Sequence, residues 1–286
     1  CRTSGSLRPP GRASAWSSPR LPKPSRGSPG SRTVVEFYLG TDAPNWLATV
    51  PAPLFVSRRR LARYRSQPVA ATRWALDSGG FTEIHKYGGW ELSADEYADE
   101  VRRYADGIGG MDWAAPQDWM CESSALAATG LTVAEHQKRT TENFLDLRQL
   151  LGTIVIPVVQ GWSTDDYRRH RDAYEAAGVD LEAEHRVGVG SICRRNADAD
   201  IGDVLVALQP LSLHAFGVKG SALVRYQDYT SSADSMAWSA TARMDKIKLS
   251  SCTHRGRTCA HCPRYAQQWR DKLLRQVNEP RLFRAG

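Results

Sequence analysis

The sequence has no long apolar run. Its longest such stretch, Thr153–Val159, is interrupted by Pro157, whereas a helix that crosses a bilayer needs roughly 18 or more apolar residues. We therefore predict no membrane-spanning helix. We expect a cytoplasmic protein that is either bacterial or encoded by a phage and active in the host cytoplasm.

Evenly spaced cysteines, which would indicate a disulfide framework, are also missing. Of the six cysteines, three lie within 11 residues near the C-terminus and the others are scattered. This distribution favours a metal site in a reducing compartment over a set of disulfides.

Acidic residues are absent from the first 32 positions, which contain six Arg and one Lys. This segment carries the whole formal charge of +7, so global charge is weak evidence for a nucleic-acid partner. It is rich in Ser, Pro and Gly and cannot bury enough apolar surface to become ordered. We predict that residues 1–32 are a disordered basic extension. It is either non-native sequence from a start placed too far upstream, or an arm that binds nucleic acid.

From residue 33 onward, short apolar runs alternate with longer amphipathic ones, and several runs are continuous, as in strands buried on both faces. Eight strands with intervening helices predict a (β/α)8 TIM barrel over residues 33–250. A zinc-binding segment and a C-terminal helix are predicted over residues 251–286. The predicted strands are Val34–Leu39, Leu54–Ser57, Arg73–Leu76, Met111–Ala115, Ile154–Gln160, Val187–Ile192, Leu211–Val218 and Asp234–Trp238.

Capping signals mark three helix starts. Ser93 and Thr132 are each followed three residues later by a Glu, which is the pattern of a capping box, and Ser163 or Thr164 opens a third helix.

Polar or Gly-rich segments follow five of the predicted strands. Because catalytic residues of TIM barrels collect at the carboxyl ends of the strands, we expect the site at this end. The segments are Asp77-Ser78-Gly79-Gly80, Gln117-Asp118, Gln160-Gly161, Gly188-Val189-Gly190 and Gly217-Val218-Lys219-Gly220.

The clustered cysteines form a metal-binding pattern. Cys252, His254, Cys259 and Cys262 have the spacing C-x-H-x4-C-x2-C. Three thiolates and one imidazole make a closed tetrahedral zinc site, so we predict a structural zinc ion. His261 is the alternative to His254 as the fourth ligand.

In their order and strand positions, segments between Trp74 and Trp269 resemble the tRNA-guanine transglycosylase superfamily. The short chain looks most like the DpdA-like branch, which inserts 7-deazaguanine derivatives into DNA. The matching pieces are Asp77-Ser78-Gly79-Gly80-Phe81, Gln117-Asp118 with Cys121, Val159-Gln160-Gly161, Gly188-Val189-Gly190, Gly217-Val218, Ala233-Asp234-Ser235 and the cysteine cluster.

The resemblance implies two catalytic aspartates. Asp234 matches the nucleophile that attacks C1′ of the target nucleotide, expels guanine and holds the sugar as a covalent ester. Asp77 matches the acid–base partner. Such a reaction passes through an oxocarbenium-like state, for which one carboxylate attacks and another moves the proton.

The resemblance also implies a set of residues that bind the base. Asp118 offers only acceptors, which suit the N1–H and exocyclic N–H donors of guanine and deazaguanine alike. The complete set is Ser78, Gly79, Asp118, Gln160, Gly161 and Gly190.

The chain departs from the family pattern after the nucleophile, where the usual Pro-Thr-Arg is replaced by Ser239-Ala240-Thr241-Ala242-Arg243. Arg243, Lys246 and Lys248 remain as a basic strip. This strip either binds nucleic-acid phosphates or forms a solvated charged face.

These features predict a zinc-stabilised transglycosylase that replaces guanine in DNA with a 7-deazaguanine derivative of the preQ0 type. The alternatives are the same exchange on tRNA, a glycosidic-bond hydrolase on the same barrel, and a non-catalytic zinc-dependent nucleic-acid binder. The expected partners are DNA, or tRNA in the alternative, and the free 7-deazaguanine base. The sequence does not decide whether the protein forms a homodimer or works with a helper protein that opens the duplex. The target base must leave the stack to reach a barrel mouth.

Overall fold

Eight parallel strands form one curled sheet in the structure, a computed structural model that describes residues 34–193, 195 and 198–278. The sheet order is β4-β3-β2-β1-β8-β7-β6-β5. The predicted extension over residues 1–32 lies outside the described residues. The strands are β1 (Glu36–Thr41), β2 (Leu54–Ser57), β3 (Trp74–Asp77), β4 (Met111–Ala114), β5 (Val158–Val159), β6 (Val187–Val189), β7 (Leu213–Ala215) and β8 (Ser232–Ser235).

A short contact connects the two edges of this sheet. Ala114, at the end of β4, forms an isolated parallel bridge with Val155, and the Ile156 N–H donates to the Ala114 carbonyl over 3.1 Å. The predicted α/β architecture with eight parallel strands is therefore confirmed. Within the described residues, β4 and the segment before β5 are joined by this single bridge and do not form a continuous ladder of hydrogen bonds.

Helices follow the strands along the chain. In the described residues, the structure confirms Ser93, Thr132 and Ser163 as N-caps with complete capping boxes, which satisfy N–H groups of the first turns. None of the helices in this part of the chain has the length and hydrophobicity needed to cross a bilayer. The α-helices are α1 (Arg58–Leu61), α2 (Gly80–Thr82), α3 (Ala94–Ile108), α4 (Ser123–Thr129), α5 (Val133–Leu151), α6 (Thr164–Ala176), α7 (Asp198–Ala207), α8 (Gly220–Tyr226), α9 (Ala237–Met244) and α10 (Pro263–Asn278).

The predicted bounds of the last strand were wrong. The strand was expected over Asp234–Trp238, but β8 is Ser232–Ser235 and Trp238 lies in α9. Trp238 is fully buried, and its Nε1–H donates to the Gly40 carbonyl over 2.9 Å. The error arises because a short buried strand and a buried helix start have the same apolar pattern.

An aromatic layer fills the inside of the curled sheet. Tyr38 of β1 lies 5.5 Å from Trp113 of β4, and Trp113 lies 4.6 Å from His214 of β7, between ring centroids. Phe55 and Phe216 complete the layer. Since these side chains come from opposite parts of the sheet, they form a floor beneath the carboxyl ends of the strands.

The helices pack on the outer face of the sheet, and Phe144 of α5 is central to that packing. Its ring is buried and meets Tyr174 of α6 edge-on, with centroids 5.5 Å apart.

We expect Phe144→Ala to lower the free energy of unfolding by about 3–4 kcal/mol, measured by urea denaturation. Val206→Ala, a change on an exposed side of α7, should cost less than about 0.5 kcal/mol. Equal stability of the two variants would contradict this packing.

Candidate active site

A cavity of about 860 Å³ opens at the carboxyl ends of the strands. It brings together both predicted catalytic aspartates and most of the predicted base-binding residues. The predicted residues that line it are Asp77, Ser78, Asp118, Gln160, Gly190, Asp234 and Arg243.

Asp77 ends β3 and is held by the loop that follows. The Gly79 N–H donates to Asp77 Oδ1 over 3.0 Å, and Gly79 has a φ of 78°, a conformation that favours glycine. Arg58 Nε donates to the Ser78 carbonyl over 3.2 Å and anchors the same loop. Burial raises the pKa of Asp77, and the nearby negative charge of Asp234 adds to that rise. The Asp77 carboxyl group therefore holds a proton more readily than a free aspartate.

Asp118 is the centre of a hydrogen-bonded chain on the cavity floor. Its Oδ1 accepts from Ser78 Oγ at 3.0 Å, and its Oδ2 accepts from Gln160 Nε2 at 2.6 Å. Gln160 Oε1 in turn accepts from Ser191 Oγ at 2.7 Å. Burial raises the pKa of Asp118 to about 7. This chain of hydrogen bonds presents the Asp118 carboxylate together with two donors, Ser78 and Gln160, that can turn toward a ligand. Such a set suits a ligand edge that carries both N–H and C=O groups.

Gly190 allows this arrangement because it has no side chain. A Cβ on Gly190 would lie 2.3 Å from Gln160 Nε2, so any larger residue would displace the Gln160 amide. Gly161 has a different surrounding. It packs against Tyr167 at the start of α6 and is not among the residues that line the cavity.

Asp234 lies on β8, with only 5% of its surface exposed. Its Oδ1 accepts from the Gly217 N–H at 2.9 Å, and His214 Nε2 lies 3.3 Å from the same oxygen. Burial raises the pKa of Asp234 to about 7. A substantial fraction of the carboxyl group is therefore ionised at neutral pH.

The basic residues lie at the rim of the cavity or beyond it. Arg243 is exposed and lines the rim, whereas Lys246 and Lys248 are exposed but not part of the lining. Two further basic residues belong to the lining, Arg60 and Lys219, and the sequence predicted a binding role for neither of them. The cavity thus combines a carboxylate-rich floor with a basic rim.

The cysteine cluster lies after α9 and can hold a metal ion. The ligand atoms of Cys252, His254, Cys259 and Cys262 all lie within 4.8 Å of one another. Cys252 Sγ is 3.3 Å from Cys262 Sγ, and His254 Nε2 is 3.4 Å from Cys259 Sγ. These separations suit four ligands around one tetrahedral ion.

The structure also separates the two histidines that the sequence offered as the fourth ligand. His261 Nδ1 lies 3.6 Å from Asp42 Oδ1, and 69% of the His261 side chain is exposed. His254, not His261, therefore completes the cluster.

Sequence reasoning left several cavity residues unassigned. Glu122, Ser191 and Phe216 line the cavity, and His214 lies directly beneath Asp234. The strand position of His214 allowed a side chain that faces into the predicted barrel, although a packing role was the preferred interpretation. Alternate residues of a strand share a face, and Phe216, two positions on, also points inward. The pairing of His214 with Asp234 depends on the alignment of β7 with β8, which local spacing does not show.

Fold and site together define an α/β protein with carboxylates at the carboxyl ends of parallel strands, an arrangement suited to glycosidic-bond chemistry. The chain belongs to the DpdA family, described as DeoxyPurine in DNA protein A, which it matches over residues 34–283. This match confirms the resemblance inferred from the sequence.

No curated protein matches the chain. Among solved structures, it is similar to the carboxyl transferase domain from Rhizobium etli pyruvate carboxylase with 3-bromopyruvate. The identity is 11% and the TM-score is 0.41. The match covers 87% of this chain and 48% of the other, so the chain spans about half the length of that structure.

The raised pKa of Asp234 makes stability depend on pH. Between the unfolded pKa near 3.8 and the folded pKa of about 7, the folded protein holds a proton that the unfolded chain has released. The free energy of unfolding therefore falls as pH rises through this window. Asn is never charged, so we expect Asp234→Asn to be more stable than wild type at pH 8 by about 1–3 kcal/mol.

The measurement is chemical denaturation at both ends of that window. At acidic pH, Asp234→Asn and wild type should converge, because Asp234 is then protonated in the folded and the unfolded state. The control is Asp203→Asn, a change of an exposed carboxylate on α7. If Asp234→Asn gained no stability at pH 8, the raised pKa would be wrong.

Proposed function

We propose that this protein replaces guanine in DNA with a 7-deazaguanine derivative of the preQ0 type, through a covalent intermediate on Asp234. One observation carries the proposal, namely a cavity of about 860 Å³ lined by Asp77, Asp118 and Asp234 in a member of the DpdA family. We interpret the curled sheet as a (β/α)8 barrel and the cavity as its mouth. A cavity of this size suits a nucleotide flipped out of the DNA stack.

In the first half of the reaction, an ionised Asp234 oxygen attacks C1′ of the target deoxyguanosine. The new C1′–O bond forms as the C1′–N9 bond breaks, and the bonding electrons leave with the guanine. Asp77 donates its proton to the departing base. The raised pKa of Asp77 supports this assignment, because a general acid must carry the proton that it donates.

In the second half, the carboxylate of Asp77 accepts the N9 proton of the entering 7-deazaguanine. N9 attacks C1′, the ester bond breaks and its electrons return to Asp234. Atoms and charges balance with no redox cofactor or nucleotide triphosphate, and the sugar is retained throughout.

The chain of hydrogen bonds around Asp118 would recognise the base. The Asp118 carboxylate accepts from the N1–H and exocyclic amine of a guanine ring, while Ser78 and Gln160 turn their donors toward its carbonyl edge. Gly190 keeps room for the Gln160 amide. Gly161 and Gly79 do not line the cavity, so they would act indirectly, through the backbone of their loops.

The basic rim would hold the DNA backbone. Arg243 at the cavity, with Lys246 and Lys248 beyond it, gives a short track for phosphates on one side of the mouth.

We propose Zn²⁺ for the cysteine cluster, because three thiolates and one imidazole are a common zinc ligand set. Four protein ligands leave no open position, so the ion would be structural and take no part in the exchange. It would fix the start of α10, whose Trp269 ring packs 6.1 Å from Phe37 of β1.

The proposed organisation is a catalytic unit over residues 33–250 and a metal-binding unit over residues 251–286. The partners are DNA and the free deazaguanine base, in the cytoplasm of a bacterium or of a phage-infected cell.

The test is incubation with radiolabelled 7-deazaguanine base and either duplex DNA, single-stranded DNA or tRNA. We expect label in DNA. Asp234→Ala should reduce incorporation by more than about 10³-fold while retaining DNA binding, and Asp203→Asn should behave as wild type. Label entering only tRNA would move the activity to tRNA. Release of guanine without incorporation would indicate a hydrolase, and an active Asp234→Ala variant would refute the nucleophile.

Zinc is tested by metal analysis of protein purified from zinc-supplemented cells. We expect a stoichiometric amount of zinc in wild type, and its loss together with a lower melting temperature in Cys259→Ser, because that thiolate is a buried ligand. Cys193→Ser, a change of an exposed cysteine outside the cluster, is the matched control. A metal-free wild type that is as stable as the metal-bound protein would exclude a structural ion.

A further inference from the structure

We infer that His214 is a positioning residue for Asp234, which it holds through a neutral Nε2–H group bonded to Oδ1, so that Oδ2 is the attacking oxygen. The inference rests on the proposed role of Asp234 as nucleophile and adds a residue to which neither the resemblance nor the family match assigns a role.

Arg186 and Ser232 form the other end of the hydrogen-bonded chain through His214. Arg186 Nη1 bonds Ser232 Oγ, and a guanidinium group can only donate. Ser232 Oγ therefore accepts from Arg186, and its own proton is available for His214 Nδ1, which lies 2.9 Å away. Arg186 is fixed in turn by Glu36, whose Oε2 lies 2.6 Å from Nη2.

The carboxylate on the other side of the ring selects one tautomer of the imidazole, because an ionised Asp234 oxygen can only accept a hydrogen bond. A neutral histidine that accepts at Nδ1 carries its proton on Nε2. Nε2 is the atom that faces Asp234 Oδ1 at 3.3 Å, so it donates to the carboxylate.

The surroundings of His214 keep its ring neutral. The imidazole is fully buried, with the Trp113 ring 4.6 Å away and the Phe216 ring 4.7 Å away. Burial lowers the pKa of His214 well below its usual value, and the positive charge of Arg186 adds to that effect. A neutral donor orients the carboxylate without forming an ion pair that would weaken it as a nucleophile.

Both donors that the described residues place on Asp234 fall on the same oxygen. Oδ1 accepts from the Gly217 N–H and from His214 Nε2–H. Two donors on one oxygen fix the plane of the carboxylate and leave the lone pairs of Oδ2 for C1′. The same donors stabilise the negative charge that returns to Asp234 when the ester breaks.

Three substitutions of His214 separate positioning from packing. In His214→Gln, the side-chain amide reaches the place of Nε2 and can still donate to Asp234. In His214→Asn, the amide reaches only the place of Nδ1, beside Ser232. His214→Leu removes both hydrogen bonds but places an apolar side chain among the same aromatic neighbours.

We expect His214→Asn and His214→Leu to lower kcat for base exchange by about 10- to 100-fold, with the KM for DNA and for the base unchanged. His214→Gln should recover most of the wild-type kcat. Circular dichroism and thermal melts verify that each variant is folded. Wild-type kcat in the Asn and Leu variants would overturn the inference, and so would a Gln variant as slow as the Leu variant.

The tautomer is measured directly by ¹⁵N NMR on protein labelled at histidine, with the His214 signals assigned from the spectrum of His214→Gln. We expect the neutral Nε2–H tautomer across about pH 5–8, and a changed tautomer equilibrium in Ser232→Ala. Signals of an imidazolium ring, or of the Nδ1–H tautomer, in wild type would overturn the inference.

The outcomes separate this inference from the proposed function. If wild type incorporates no base into any nucleic acid, the proposed function fails, while the NMR measurement still decides the tautomer. If wild type exchanges base and His214→Asn does so equally well, the proposed function stands and the role of His214 alone is rejected.

Discussion

The rest of the structure is arranged around three carboxyl groups at one end of a parallel sheet: Asp118 and Asp234, which are buried, and Asp77, which is partly buried. A buried charge is costly unless donors surround it, and each of these groups has its own. Backbone N–H groups of glycine-containing loops bond Asp77 and Asp234, and side-chain donors bond Asp118. The donors only partly offset the burial, so the pKa of each carboxyl group stays above its usual value. The proposed base exchange requires carboxyl groups whose surroundings change their affinity for protons in this way.

The interior of the sheet is layered beneath those carboxylates. At the opposite end, Glu36 and Arg186 form an ion pair, and an aromatic layer that includes Trp113 separates this pair from the cavity. His214 and Ser232 cross the aromatic layer. The layer shields His214 from solvent and keeps it neutral, while Arg186 of the ion pair bonds Ser232, the partner of His214 Nδ1. The orientation of Asp234 is thereby linked to charged groups on the far side of the core.

The segment with the cysteine cluster contributes to the fold at a distance from the cavity. Its four ligand atoms are close enough for one ion, and α10, which follows them, packs on β1 through Trp269 and Phe37. Since β1 pairs with β8, the strand of Asp234, a stable α10 supports the part of the sheet that holds the proposed nucleophile. A structural ion with no open coordination position would be consistent with proposed chemistry that uses carboxyl groups alone.

Local sequence signals determined much of this protein. Apolar runs predicted all eight strands, capping boxes predicted three helix starts, and ligand spacing predicted the metal-binding cluster, because each of these patterns arises within a few consecutive residues. The tertiary structure decided the rest. It moved Trp238 from a strand into a helix, chose His254 over His261, placed Gly161 behind the cavity, and brought His214 beneath Asp234. Those outcomes depend on which distant segments pair and pack, and the register between β7 and β8 has no signature in the spacing of either strand.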